Sequence, residues 1–293
     1  MTGPIERVVD AHIHLWDPAR TEWYPYLSGQ EELGMGDMSA MCRTFDPPTY
    51  FAEVGRWNVE KFVHVTAART DHVQETLELD ALAEGTGNPA AIVGAIVAGT
   101  SRAETEVMLD EQMRSSRFRG VRAVRGAGKS RTQVGHFPTE DSLRALEERG
   151  LVYDVMVHPH QLVEAADLLA CADELTVVVE HTGWPRDDSD EEFALWQTGM
   201  RRLASLRDNV HCKLSGLAMP LRTSSPDVYR RWIHGALELF GVERCMFASN
   251  FPVDGVGGTF DELYSTYDAL TAHLDDEERD KLFASNAERV YRC

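Results

Sequence analysis

Val8-Val9-Asp10-Ala11-His12-Ile13-His14-Leu15-Trp16-Asp17-Pro18 is the stretch that decides the fold of this chain. It starts as an apolar, β-branched run, carries two histidines at alternate positions, and turns at Asp17-Pro18. A dinucleotide-binding sheet would place a glycine-rich turn behind its first strand, and here that place reads His-Ile-His-Leu-Trp-Asp-Pro. Seven further apolar runs follow, at 61–68, 90–98, 120–124, 151–157, 175–180, 210–214 and 245–249. Several are nearly continuous in Val and Ile, as in parallel strands covered on both faces. Helix-like stretches alternate with them at 71–84, 102–115, 139–149, 161–172, 191–206, 226–240 and 259–273, and 276–292 adds a terminal helix. Thr139 followed by Glu140, Asp141 and Ser142 reads as a helix start, with acidic residues at the positive end of the dipole. Strands alternating with helices in this number predict an α/β fold, a (β/α)8 TIM barrel, as a single domain over residues 1–293. One connection is long: residues 16–47, with Trp23, Tyr24, Tyr26 and Met35, read either as a lid over the site or as a packed excursion.

Composition narrows the partners. The chain has 29 Lys+Arg against 48 Asp+Glu, a formal net charge of −19, with 43% hydrophobic and 26% charged residues. That is a globular composition with a sizeable core. The acidity argues against nucleic acid and anionic membrane surfaces as partners and leaves a small molecule as the expected one. The longest apolar run, 90–99, falls short of the roughly 20 residues that span a bilayer. The opening MTGPIERVVD lacks the apolar core of a secretory signal. Five scattered cysteines, with no CxxC pair, read as reduced thiols in the cytoplasm. The oligomeric state is open.

Barrels of this kind build their sites at the C-terminal strand ends. Asp10, His12 and His14 alternate and are expected on one face, with both histidines near the strand end. Two imidazoles so spaced can converge on one metal ion or one substrate oxygen. The fifth run ends in Val157-His158-Pro159-His160, the sixth in Glu180-His181-Thr182-Gly183, and the second carries His64. His64 reads first as a core histidine and second as a substrate contact. His12, His14 and His181 are harder to explain as separate structural histidines, because each sits at a strand end. Arg122 and Arg125 lie on the fourth run at odd spacing, so Arg122 is assigned to the pocket, as a bidentate partner for a substrate carboxylate, with Arg125 second. His211, Lys213 and Ser215 share a face, and Lys213 inside a barrel must be paired or catalytic. Trp184, beside His181, suggests a flat pocket wall, whereas Phe51 and Trp57 read as helix packing.

The motifs VDAHIHLWDP, RGVRAVR, VHPHQL, VVVEHTGWP, Trp196-x-x-Gly199-Met200-x-x-Leu203-Ala204, KLSGL, SNFPVD and NAERVYR occur in the order found in the amidohydrolase-related family of TIM-barrel hydrolases. The chain resembles that family, which includes sugar-lactone hydrolases and the pyrone-dicarboxylate lactonase, over residues 5–292. The resemblance implies that His12, His14 and His181 form the catalytic imidazole cluster. In metal-dependent relatives this cluster, with a fifth-strand histidine for which His158 is the candidate, binds one divalent ion such as Zn or Mn. The ion lowers the pKa of a bound water. Lactonase relatives can also work without metal, with histidines polarising a lactone carbonyl and arginines holding a carboxylate. The implied reaction is ring-opening ester hydrolysis of a carboxylated or sugar-derived lactone.

One position departs from the family pattern. Its eighth strand ends in a segment resembling GSDWP, whose aspartate orients water and carries its proton; here the segment reads Ala248-Ser249-Asn250-Phe251-Pro252. An amide can donate and accept hydrogen bonds but cannot hold a proton at neutral pH. Three consequences follow: another base acts (Asp254, His158 or His64), the chemistry is non-hydrolytic, or the barrel binds without turnover. The leading expectation is a lactone hydrolase in which Asn250 positions water or substrate and Asp254 or His158 is the base. A metal-dependent decarboxylase or lyase and a non-catalytic binding barrel are the alternatives. Acidic runs at 187–192 and 275–280 put much of the net charge on the surface.

Overall fold

Apolar strand residues and amphipathic helices alternate as the barrel requires. The structure is a computed structural model that describes residues 3–28, 37, 39–125 and 135–293. Its strands are β1 (Val8–Ile13), β2 (Val59–Val65), β3 (Ala91–Val97), β4 (Phe118–Val124), β5 (Val152–Val155), β6 (Thr176–Val179), β7 (Val210–Leu214) and β8 (Cys245–Phe247). All pair in parallel in chain order, and a bridge from Ile13 to Phe251 returns the end of β8 to β1. This is the expected eight-stranded barrel, with its strand bounds trimmed by a few residues.

The helices lie on the outside: α1 (Pro47–Val54), α2 (His72–Thr86), α3 (Arg102–Gln112), α4 (Glu140–Glu148), α5 (Leu162–Leu169), α6 (Asp190–Ala204), α7 (Ala218–Leu221), α8 (Pro226–Phe240), α9 (Phe260–Thr271), α10 (Asp276–Asp280) and α11 (Asn286–Tyr291). Their starts follow from side-chain caps. Thr139 accepts from the Ser142 amide, and Ser101 with Glu104 and Thr259 with Glu262 form capping boxes. The expected terminal helix is interrupted by a π-helical stretch, Lys281–Ser285, that separates α10 from α11. Helix α1 has no counterpart among the expected helices; Asp46 caps it and Pro47 and Pro48 open it.

Two apolar clusters result. The larger joins the outer strand faces to the helices. The smaller gathers Val9, Ala11, Val63, Val65, Ala91, Val93, Val152, Val178, Met246 and Ala248 with Ala284, Ala287, Val290 and Tyr291, so the C-terminal helix packs against short strand side chains. In the 16–47 connection, Trp16 bridges to Phe45, and its indole N–H donates to the carbonyls of Met41 and Arg43. The Tyr26 hydroxyl donates to the Ala67 carbonyl (2.6 Å), and Arg20 and Arg69 both stack on Trp23. Met35 lies outside the described residues. No helix among the described residues is long and apolar enough to cross a membrane.

Gly120 on β4 packs directly against the backbone of β5. A Cβ there would overlap the Val152 carbonyl oxygen on β5 and lie 2.8 Å from the Val152 Cβ. Backbone cannot move aside as a flexible side chain does, so Gly120→Ala is expected to cost on the order of 1–3 kcal/mol, read from urea unfolding. An unchanged midpoint would contradict this account of the wall.

Candidate functional site

The site grows from the end of β1. The Asp10/His12/His14 alternation does not survive as one face, because the pairing with β2 shifts register between Asp10 and Ile13. The Asp10 carboxylate accepts from the Tyr50 hydroxyl (2.8 Å) and the Ser249 amide (2.8 Å), so it ties α1 and β8 to β1. Burial pushes Asp10 up to about 6, against these donors. His12 and His14 instead meet each other: their Nε2 atoms are 3.2 Å apart. His14 Nδ1 lies 2.8 Å from the Val65 carbonyl, and its ring stacks on Trp16.

His181 enters from the end of β6, its ring centroid 4.6 Å from that of His12. To place it there the chain takes positive φ at His181, Thr182, Gly183 and Trp184 in succession. Residues other than glycine adopt that conformation only when their surroundings impose it. Here the Trp196 indole donates to the Thr182 carbonyl (2.6 Å), and His181 Nδ1 sits 3.1 Å from the Ser215 hydroxyl. Gly216 leaves room for the ring: a Cβ there would lie 2.6 Å from His181 Nδ1.

Charged residues surround the imidazoles inside the barrel. Glu180 Oε2 is 3.3 Å from Arg122 and 3.8 Å from His181 Nε2, and Oε1 is 3.6 Å from His12 Nδ1 without a hydrogen bond of its own. Lys213 Nζ pairs with Asp154 Oδ2 at 2.6 Å and lies 3.5 Å from His12 Nδ1. The Tyr291 hydroxyl donates to the Asp154 carboxylate from the C-terminal helix. Burial holds His12, His14 and His181 well below the ordinary histidine range, and the charges of Lys213 and Arg122 push the same way. All three imidazoles are therefore neutral at pH 7. Burial also pushes Asp154 upward, while Lys213 pulls it back.

Asn250 closes the seam. Its amide N–H donates to the His12 carbonyl (2.8 Å), it takes φ +54°, and its side-chain NH2 donates to Asp254 Oδ1 (3.0 Å). Asn250 Oδ1 and Asp254 Oδ2 are buried with no hydrogen-bond partner, although the backbone N–H groups of Gly216, Ala218 and Met219 face the Asp254 carboxylate and temper its shift. Burial, the larger influence, pushes Asp254 up to about 7.

The remaining expected site residues spread around this core. Arg122 is buried but not free as a carboxylate clamp: it bonds Glu180 and the Thr66 carbonyl (2.6 Å), and only its Nε lacks a partner. Arg125, just past β4, is half-buried. His64 is fully buried, with neither ring nitrogen in a hydrogen bond, and burial pushes it down to about 3. His158 is half-buried, its Nδ1 3.0 Å from the Trp184 carbonyl, and Trp184 packs against both His158 and His181. Glu180 and Asp154 were not singled out from the sequence. The signals available were an acidic residue directly before a strand-end histidine, and a buried lysine that needed a partner.

A family model described as Amidohydrolase matches residues 9–293. The chain is 32% identical to the Sinorhizobium fredii protein y4mH, over 97% of this chain and 98% of that one. It is 29% identical to an L-fucono-1,5-lactonase of Burkholderia multivorans, over 97% of this chain and 95% of the relative. A crystal structure of an amidohydrolase from Burkholderia multivorans with bound zinc superimposes with a TM-score of 0.79 at 25% identity, over 97% and 99% of the two chains.

Asp254 has a measurable consequence for stability. An unfolded aspartate ionises near pH 3.9, and folded Asp254 near 7, so between these values the unfolded state gives up its proton first. Stability is lost as pH rises through that window. Asp254→Asn removes the loss, so the variant is expected to gain on the wild type between pH 4 and pH 8 by on the order of 2–4 kcal/mol. Urea unfolding at the two pH values reads the gap, and a gap independent of pH would refute the buried ionisation.

Proposed function

The chain belongs to the amidohydrolase family, and from that premise we propose that it hydrolyses a lactone, opening the ring to a hydroxy acid. The observation that carries the reading is the convergence of three buried imidazoles, His12, His14 and His181, at the strand ends, with Glu180 beside His12 and His181. The family match and the lactonase relative support the same reaction.

Water attacks the lactone carbonyl carbon, the ring C–O bond breaks, and the departing alkoxide takes up a proton. Neutral imidazoles can donate N–H to the carbonyl oxygen as it gathers charge, and a water-poor site strengthens such donation. The free carbonyl oxygen of Asn250 is suited to accept from the attacking water and orient it. Asp254, fixed behind Asn250 with an ionisation near neutral pH, takes the water's proton and returns it to the alkoxide. His158 is the alternative base. Its Nδ1 faces a carbonyl and must carry hydrogen, which leaves the Nε2 lone pair for a proton. Trp184 forms a wall beside His181, and Arg122 acts through Glu180. His64 and Arg125 are assigned to the pocket's periphery.

A divalent ion such as zinc or manganese fits this donor set. Ligand atoms of His12, Glu180 and His181 all lie within 4.8 Å of one another, and Glu180 Oε1 is a buried oxygen lacking a hydrogen bond. These residues would hold the ion, with His14 beside His12, and a bound ion would supply Lewis acidity and a more acidic water. The five cysteines are free thiols, which supports a reducing compartment such as the cytoplasm.

A panel of sugar-derived and carboxylated lactones, followed by acid release at pH 7.5, tests the reading. Turnover of at least one member is expected, falling by about 100-fold or more in His181→Ala. No turnover across the panel would overturn it. Asn250→Asp restores the family's usual carboxylate, yet it would set a second carboxyl group about 3 Å from Asp254. Like charges so close cannot both ionise, so kcat is expected to fall and its pH profile to move upward. A faster Asn250→Asp enzyme would show that the amide has no role of its own.

A further inference from the structure

We propose that Lys213 governs how tightly this site holds a divalent cation, by fixing the tautomer of His12 and setting an unscreened positive charge behind it. The inference rests on the cation reading given above for His12, Glu180 and His181.

The direction of each hydrogen bond follows from donor chemistry. The Val65 carbonyl can only accept, so His14 Nδ1 carries the hydrogen across its 2.8 Å contact. Neutral His14 then has its lone pair on Nε2. His12 Nε2, 3.2 Å away, must donate to it. That leaves the His12 lone pair on Nδ1, which faces the Lys213 ammonium at 3.5 Å, a group with donors only. Lys213 is itself anchored to Asp154 Oδ2 at 2.6 Å, and Tyr291 donates to the same carboxylate. A single directional chain thus runs from the buried ion pair through both histidines of the His-Ile-His motif to the Val65 carbonyl.

A cation bound by His12 must take one of the ring's lone pairs. At Nδ1 it competes with the ammonium. At Nε2 it drives the hydrogen onto Nδ1, where that hydrogen meets the ammonium at 3.5 Å as well as Glu180 Oε1 at 3.6 Å, an oxygen that the cation itself draws on. Lys213, Asp154 and His12 are all 0% exposed, so no solvent screens the repulsion, and it is offset only in part, by Asp154 on Lys213 and by the buried Glu180 carboxylate 3.6 Å from His12 Nδ1. Without a cation, the same chain keeps the His12 Nε2 hydrogen donated to His14.

Zinc binding to the full-length, chelator-stripped chain tests this, by competition with a chromophoric chelator at pH 7.5 and with no lactone present. Lys213→Gln keeps a donor to Asp154 and removes the charge, and zinc is expected to bind about tenfold tighter or more. Asp154→Asn removes the carboxylate paired with the ammonium, and zinc is expected to bind about tenfold weaker. Circular dichroism melts identify the variants that are folded, and either folded variant decides. Zinc affinity unchanged or lower in Lys213→Gln, no zinc bound by it at all, or affinity unchanged or higher in Asp154→Asn each overturns the proposal. Ring opening is judged separately on the lactone panel, so failure here does not decide that reading.

Discussion

The His14 amide donates to the Phe251 carbonyl at 2.9 Å, and the Asn250 amide donates to the His12 carbonyl at 2.8 Å. These two bonds join the first strand to the segment after the last, so the closure of the barrel and the backbone of the site are one object. Closing a sheet requires strands to tilt and stagger, and here the residues at the join are those with chemistry to offer. Asn250 sits at φ +54°, a conformation that asparagine tolerates better than most residues. Asp10 reinforces the join from the other side, drawing the Ser249 amide and the Tyr50 hydroxyl onto β1. A change that loosens the seam moves His12, His14 and Asn250 together.

Behind the seam, the barrel interior holds charge in pairs. Arg122 stands against Glu180 and Lys213 against Asp154, all at 6% exposure or less. Removing such charges from water is costly, and apolar side chains of similar size would often serve stability as well or better. Burial keeps the neighbouring imidazoles neutral, and the cations of these pairs add to it: Arg122 opposes a proton on all three rings, and Lys213 on His12 and His181. A cluster of neutral imidazoles can donate through one nitrogen and accept through the other, which three imidazolium ions could not do. The ion pairs are thus part of what makes the cluster usable.

How much of this could be read beforehand depended on the range of the interaction. Apolar runs and caps are local, and the eight strands and most helices lie within a few residues of where periodicity puts them. Alternation along β1 failed at Asp10 because a register shift is a relation between two strands, and one strand's pattern does not contain it. Arg122 could be placed in the interior by alternation, but not paired, since Glu180 is 58 residues away. Lys213 demanded a partner on electrostatic grounds, yet the identity of Asp154 needed the neighbouring strands and the C-terminal helix in place. His181 was visible as a strand-end histidine. The left-handed run that aims it was not, because Trp196, Ser215 and Gly216, from later elements, impose it.

The net charge of −19 takes on a different meaning once the interior is known to be paired. Exposed acidic side chains such as Asp190 and Glu277, at helix starts within the sequence runs 187–192 and 275–280, lie on the surface, where they pair with Arg231 and Lys281. Arg122, Glu180, Asp154 and Lys213 very nearly cancel inside. A neutral lactone crosses such a field without penalty, whereas the hydroxy acid formed by ring opening is an anion at pH 7 and is repelled by it. Fields of this kind act over roughly a Debye length, about 8 Å at physiological salt. They therefore act on molecules outside the barrel and leave bond making to the buried groups. On the lactonase reading, surface charge and interior charge do separate work: the first acts on the anionic product once it has left the site, and the second adds to the burial that keeps the imidazoles neutral for the next ring.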